Sequence, residues 1–308
     1  MNYTSTVAPF GIPVAVPAMN EPLNPSVQSD SAAAATVPQP APPLPDRIRS
    51  EVWDVPFDHL TLAEAVDWIE CLVQRRTPSY VITANVNYCM LHHRDPEMGV
   101  ITDNADLILA DGQPIVSRSR LSKKPIPERV AGSEMIYHLA ERCSDNGWGI
   151  YFLGGEEGVA AQCAKKLQAM YPGLKISGIE SPPFRKLSER EQAEQDQRIK
   201  KSGAAILLVA FGQPKGEKWI HENYKRLGIP VSIQLGASFD FIAGKAKRAP
   251  ILCQKMGLEW AYRMCTDPKR LVPRYAKNAT FLLGALIEDW KRLVTSWGMG
   301  DWSNRPER

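Results

Sequence analysis

The sequence has few of the residues that build metal centres, and those present are poorly placed for one. Its six cysteines (Cys71, Cys89, Cys143, Cys163, Cys253 and Cys265) include no C-x-x-C pair, and none stands at ligand spacing from a histidine. The five histidines form no i, i+4 pair, and the adjacent His92 and His93 face different ways on a helix. No metal site and no cofactor are therefore expected. Most of the cysteines lie in apolar periodic segments and read as reduced, buried thiols, which points to the cytoplasm.

Other absences exclude whole classes. No apolar run reaches the roughly 18 residues of a spanning helix. The first residues carry no basic stretch followed by a compact apolar run, so no secretory leader is expected. There is no internal repeat and no zinc-finger or RNP-like spacing, so no nucleic-acid partner is expected. A Walker loop is missing, and Val52 to Leu62 offers neither a G-x-G-x-x-G fingerprint nor its acidic partner, which argues against a nucleotide-dependent oxidoreductase.

What is present is ordinary globular composition, 44% hydrophobic and 23% charged, enough for a sizeable core. The net charge of +3 is unevenly spread: Ala243 to Arg308 holds 13 Lys and Arg against 6 Asp and Glu. That basic end suits an anionic partner, or is simply a solvated helical face. Residues 1–48 hold ten of the 25 prolines and an alanine run at Ala32 to Ala35, with few large apolar residues to offset ordering entropy. A disordered arm is expected there, then an α/β core over 49–244, a helical appendage over 245–298 and a tail over 299–308.

Within the core, strand and helix signals alternate. Strands are expected at Glu51–Val55, Tyr80–Thr83, Leu107–Ala110, Gly149–Leu153, Leu174–Ile179, Ala205–Ala210 and Pro230–Leu235. Helices are expected at Thr61–Arg75, Ser133–Asn146, Val159–Met170, Glu189–Lys201 and Pro214–Leu227, the first with Thr61 and Glu64 as a capping box. This alternation predicts βαβ units and a parallel sheet flanked by helices, whose ligands gather outside the strand carboxyl ends. Those ends carry Thr83 and Asn85, Asp111 and Gly112, Gly154 and Gly155, Gly212 and Gln213, then Gly236, Ser238 and Asp240.

Each candidate has a functional and a plain reading. Asp111 at a buried strand end, with Gly112 leaving the backbone approachable, suits a general base; Asp-Gly is equally a common turn. Thr83 and Asn85 could orient a hydroxyl or cap the next helix. Gly154-Gly155 before a helix could offer amides to a phosphate. The planar fork of Arg129 suits a diphosphate, or an ion pair with Glu128 or Glu134. Asp240, between Phe239 and Phe241, needs a helix amide or a ligand as partner. After Gly244 the pattern is helical, at Ile251–Met264 and Pro268–Trp297. Leu286, Trp290, Leu293 and Trp297 share one face, which either packs on the sheet or lies on an anionic membrane.

Taken together, certain stretches carry a resemblance. They are Thr83-Ala84-Asn85, Ala105-Asp106-Leu107 through Asp111-Gly112, Pro127-Glu128-Arg129-Val130-Ala131-Gly132-Ser133 and Phe152-Leu153-Gly154-Gly155. Tyr171 to Ile176, Gly212-Gln213-Pro214-Lys215 through Glu217-Lys218-Trp219-Ile220, and Ser238 to Gly244 follow, then Arg248-Ala249-Pro250 and Gly257 through Arg263 to Pro268 and Arg270. In that order, from about Val52 to Ala285, the chain resembles the WecG/TagA/CpsF family of bacterial glycosyltransferases. The resemblance implies a Rossmann-like fold, a UDP-sugar donor, a polyprenyl-diphosphate-linked sugar acceptor and inversion at the anomeric carbon, in cell-surface or exopolysaccharide synthesis. It casts Asp111 as the base, places Thr83, Asn85 and Arg129 in the pocket and Asp240 near the nucleotide. It maps a membrane-engaging appendage onto Arg263, Arg270 and Arg274, and so implies a peripheral protein on the inner face of the membrane.

Two departures stand out. Gly216 replaces a glutamine of many relatives, with Gln213 nearby as a substitute, and Pro273-Arg274 replaces a tandem basic pair. A non-catalytic nucleotide-binding scaffold is the alternative reading that the first departure keeps open, and self-association into a homo-oligomer is open as well.

Overall fold

The computed structural model describes residues 43–44, 46–247, 249–250 and 259–298. The expected arm at 1–48 and the tail at 299–308 lie outside these residues, apart from the arm's last few. So do Arg248 and residues 251–258 of the expected Ile251–Met264 helix.

The chain opens with a hairpin, β1 (Arg49–Val52) and β2 (Val55–Asp58), antiparallel and closed by the Val52–Val55 pair. A single strand over Glu51–Val55 is the sequence expectation, and the structure corrects it. Trp53 and Asp54 both take left-handed backbone angles (φ 51° and 64°), forming a two-residue turn of the primed type. The turn lacks the Asn-Gly or Asp-Gly pair that usually announces it. Asp58 ties the hairpin to the sheet: buried, it pairs with Arg47 at 2.7 Å and accepts the Ile108 N–H at 2.7 Å.

Helix α1 (Leu62–Arg75) starts on the expected capping box, with the Glu64 N–H donating to Thr61 Oγ1 and the Thr61 N–H donating to Glu64 Oε2. Six strands follow: β3 (Ser79–Ala84), β4 (Leu107–Ala110), β5 (Gly149–Gly154), β6 (Lys175–Glu180), β7 (Ile206–Ala210) and β8 (Val231–Gln234). They form one sheet in the order β4-β3-β8-β7-β5-β6, parallel throughout. The α/β, Rossmann-like class is thus observed. Most of these strands are buried along their whole length, as a parallel sheet covered on both faces requires.

The two-residue period of the strands divides the core into two layers. Val81, Leu107, Phe152, Leu208 and Ile233 face α1, α5 (Gly132–Asn146), α6 (Val159–Met170) and α9 (Ser238–Ala243). Tyr80, Ile82, Ile108, Leu153 and Val209 face α2 (Val86–Arg94), α3 (Pro96–Asp103) and α8 (Lys215–Leu227). The short α2, α3 and α4 (Gln113–Ser119) are additions to the expected elements; the polar α7 (Glu189–Lys201) has its expected bounds.

The last helices are α10 (Glu259–Thr266) and α11 (Pro268–Gly298). One side of α11, with Leu271, Asn278 and Asp289 at helical spacing, is buried. Asp289 forms a fork-on-fork ion pair with Arg118 of α4, and Phe281 meets the Trp53 ring edge-on at 5.9 Å. The other side presents Leu283, Leu286, Ile287, Trp290 and Val294, all about half exposed or more. Of the stripe residues, Leu286 and Trp290 thus lie on the side that does not pack against the sheet domain. The side chains of Leu293 and Trp297 lie outside the described set. No helix among the described residues is long and apolar enough to cross a membrane.

Candidate active site

A cavity of about 650 Å³ opens at the carboxyl ends of β3, β4, β7 and β8 and is roofed by α10 and α11. Thr83, Asn85, Asp111, Gly112, Arg129, Gly155, Gln213, Gly236, Asp240, Arg263 and Arg274 all line it. The strand exits singled out in the sequence thus converge, because parallel strands deliver every exit to the same side of the sheet.

Each side chain is held by its element. Thr83, near the end of β3, is buried and donates from Oγ1 to the Gln234 carbonyl at 3.0 Å, bridging two strands at the cavity edge. Asn85 caps α2 by accepting the Tyr88 N–H at 3.2 Å, so the capping reading applies while the residue also faces the cavity. The Asp111 N–H donates to the Ala84 carbonyl at 2.8 Å, which fixes the backbone just past β4, where the residue lines the cavity. Gly112 has extended backbone, and a Cβ there would meet only ordinary contacts. The Arg129 fork donates to Glu134 in the first turn of α5 at 2.8 Å, so the ion-pair reading is realised on the cavity wall.

The double-glycine turn differs from its sequence reading. Gly154 is buried off the cavity, and a Cβ on it would lie 2.8 Å from the Ala210 carbonyl, so it serves close strand packing. The Gly155 N–H is committed to that same carbonyl at 3.0 Å and is not offered to a phosphate. Two helix starts are better placed. Helices α5 and α8 both start at the cavity with no side-chain cap, whereas α1 and α7, on other surfaces, carry full capping boxes. Uncapped helix starts hold partial positive charge, and with Arg129, Arg263 and Arg274 they suit an anionic ligand.

The appendage contributes directly. Arg263 of α10 lies over the Phe241 ring at 5.0 Å, and Trp260 meets Tyr275 edge-on at 6.1 Å. Arg274 of α11 donates to Gln213 Oε1 at 3.2 Å, the same oxygen that accepts from Asn87 Nδ2 at 3.1 Å. The Arg270 side chain lies outside the described set.

Sequence reading missed several residues. Gln234 is 3% exposed at the end of β8, lines the cavity and accepts the Gly236 N–H at 3.1 Å. Its signal was a lone polar residue in a buried strand. Glu217 is 2% exposed in the first turn of α8. Burial raises its pKa to about 7, against the opposing pull of its own backbone amide, the Gln213 carboxamide, Arg274 and the Gln234 carboxamide. Its signal was a carboxylate on the apolar stripe of α8, in line with Ile220, Tyr224 and Leu227. Phe184, 84% exposed at the cavity rim, had no signal.

Of the cysteines, Cys89, Cys143 and Cys163 are buried as expected, with thiols pushed up by desolvation, while Cys265 is exposed. Among the described residues no cluster of three or more His, Cys, Asp or Glu could hold a metal ion.

Comparison with known proteins supplies the context. The profile of the glycosyl transferase WecG/TagA/CpsF family matches residues 50–294. A Bacillus spizizenii protein is 29% identical over 202 residues, 64% of this chain and 77% of that protein. A Bacillus subtilis protein is 28% identical, over 73% of this chain and 88% of its own length. One from Staphylococcus aureus is 27% identical, over 72% and 86%. All three are named N-acetylglucosaminyldiphosphoundecaprenol N-acetyl-beta-D-mannosaminyltransferase.

Proposed function

The chain belongs to the WecG/TagA/CpsF family of glycosyl transferases, and from that premise we propose that it moves an N-acetylhexosaminyl group from a UDP-sugar to a polyprenyl-diphosphate-linked sugar, with inversion. The observation that carries this reading is the cavity itself, where Asp111, with Glu156 and Asp240, shares one space with three arginines and two uncapped helix starts. Asp111 takes the proton from the acceptor hydroxyl as the new C–O bond forms and the bond to the UDP diphosphate breaks. Arg129, Arg274 and the positive ends of the α5 and α8 dipoles balance the charge that develops on the leaving diphosphate, within a site screened by α10 and α11. General-base help of this kind is worth roughly 10²- to 10⁴-fold.

The lipid-linked acceptor sets the location. The exposed face of α11, with Leu283, Leu286, Ile287 and Trp290 in the open, supports a peripheral seat on an anionic inner membrane surface. No metal is required by this chemistry. The test is UDP release from a panel of UDP-sugars, with and without a short-chain polyprenyl-diphosphate sugar and with EDTA in parallel. Acceptor-dependent release that survives EDTA is the expected result. Binding of a UDP-sugar with no transfer to any acceptor would favour the scaffold alternative, and loss with EDTA restored by Mg²⁺ would overturn the metal-free mechanism.

A further inference from the structure

The buried side of α11 carries Leu271, Asn278 and Asp289. Leu271 needs no polar partner, and Asp289 has one in Arg118. Asn278 is different. It is 6% exposed and borders the cavity, yet its carboxamide oxygen is shut off from water and accepts no hydrogen bond among the described residues. Asparagine is a poor helix former, and a buried acceptor without a donor lowers stability, so neither helix formation nor packing explains its presence there.

The course of α11 shows which part of the cavity Asn278 borders. One turn earlier, Arg274 donates to Gln213, just past β7. One turn later, Phe281 meets the ring of Trp53 on the hairpin at 5.9 Å and that of His93, late in α2, at 6.2 Å. Farther on, Asp289 reaches Arg118 of α4, the helix that follows β4. With the strands in the order β4-β3-β8-β7, the helix runs from the β7 exit towards the β4 edge. Asn278 therefore lies past Arg274 in the direction of β4, at whose exit Asp111 lines the cavity.

We propose that Asn278 is a specificity-determining residue whose carboxamide oxygen accepts a hydrogen bond from the sugar of the lipid-linked acceptor, through a hydroxyl or an amide N–H. The inference rests on the reading given above, in which Asp111 activates the acceptor hydroxyl and Arg274 faces the donor diphosphate. A residue on the Asp111 side of Arg274 borders the acceptor half of the cavity. The terminal torsion of asparagine is broad and two-fold, so the oxygen turns to the cavity without movement of the helix. A sugar with a matching donor supplies the missing bond, and one without it leaves a buried acceptor unmet. The same oxygen thus lowers the stability of the free protein and sharpens its choice of acceptor.

Asn278→Leu keeps the approximate shape and removes the carbonyl. In transfer to a short-chain polyprenyl-diphosphate sugar, kcat/KM for the acceptor should fall about 5- to 100-fold, with KM for the UDP-sugar within about twofold of wild type. The unliganded variant should melt at or above the wild-type temperature, because the side chain gives up no hydrogen bond among the described residues. An unchanged acceptor kcat/KM, an equal rise in the UDP-sugar KM, or a Tm several degrees below wild type would overturn the proposal. Acceptors lacking single hydroxyl or acetamido groups identify the bonded group. One of them should react more slowly with wild type but no more slowly with the variant, and equal losses in both would contradict the assignment. If wild type transfers no sugar, the reading of the reaction fails, and calorimetry of the acceptor alone decides Asn278. Weaker binding by the variant would uphold its role; equal binding, or none by wild type, would remove it.

Discussion

Gly216 and Gln234 share a space that holds only one side chain. A Cβ on Gly216 would lie 2.6 Å from Gln234 Cδ and 2.7 Å from its Nε2. Gln234 is the residue that fills the room a side chain at 216 would take, although Gln213 is the neighbour in sequence. The glycine on α8 thus leaves room for a glutamine on β8 that lines the cavity.

Gly216→Gln should accordingly destabilise the protein by about 1–3 kcal/mol through overpacking. Adding Gln234→Gly should recover most of that loss. Thermal denaturation of the single and double variants checks it; additive losses would show that the two positions do not compete.

Arg118 and Asp289 make the second relationship that can be tested, because their forked ion pair joins α4 to α11 with both side chains mostly buried. Removing one partner strands the other charge, at a cost on the order of 3 kcal/mol for docking of the helix. Asp289→Ala should raise the rate of limited proteolysis within 268–298 while leaving the sheet's thermal transition in place. An unchanged cleavage rate would mean that the pair contributes nothing to docking.

The outer side of α11 leads to a third expectation. Leu286→Glu with Trp290→Glu should lower binding to anionic vesicles and slow transfer to long-chain acceptors more than to short, soluble ones. Charge reversal at Arg263 and Arg270 should act in the same direction and increase salt sensitivity. Sedimentation with vesicles reads both, and undiminished binding would leave the exposed stripe without a lipid partner.

Much of this was legible because local signals and tertiary context agreed. Thr61 and Glu64 announced α1, and the apolar run Leu107–Ala110 announced β4 to the residue. The strand exits announced the site, since a parallel sheet leaves them no other meeting place. The hairpin was not legible, because Trp53 and Asp54 adopt left-handed angles with no glycine to advertise them. The short α2, α3 and α4 lack a long apolar period, although Asp95 before Pro96 was an N-terminal signal open to reading. Gln234 and Glu217 look like ordinary polar residues until their neighbours are known, for burial is a property of the assembled fold. The second glycine of the Gly154-Gly155 turn misled for the same reason: its amide is already taken by a strand that the sequence places far away.

The measurement that tests the central claim most directly is transfer by Asp111→Asn beside wild type, using the UDP-sugar and polyprenyl-diphosphate acceptor that give the fastest UDP release. The expected result is a fall in turnover of about 10²- to 10⁴-fold with UDP affinity nearly unchanged. Turnover at the wild-type level would remove Asp111 from the role of base and contradict the mechanism.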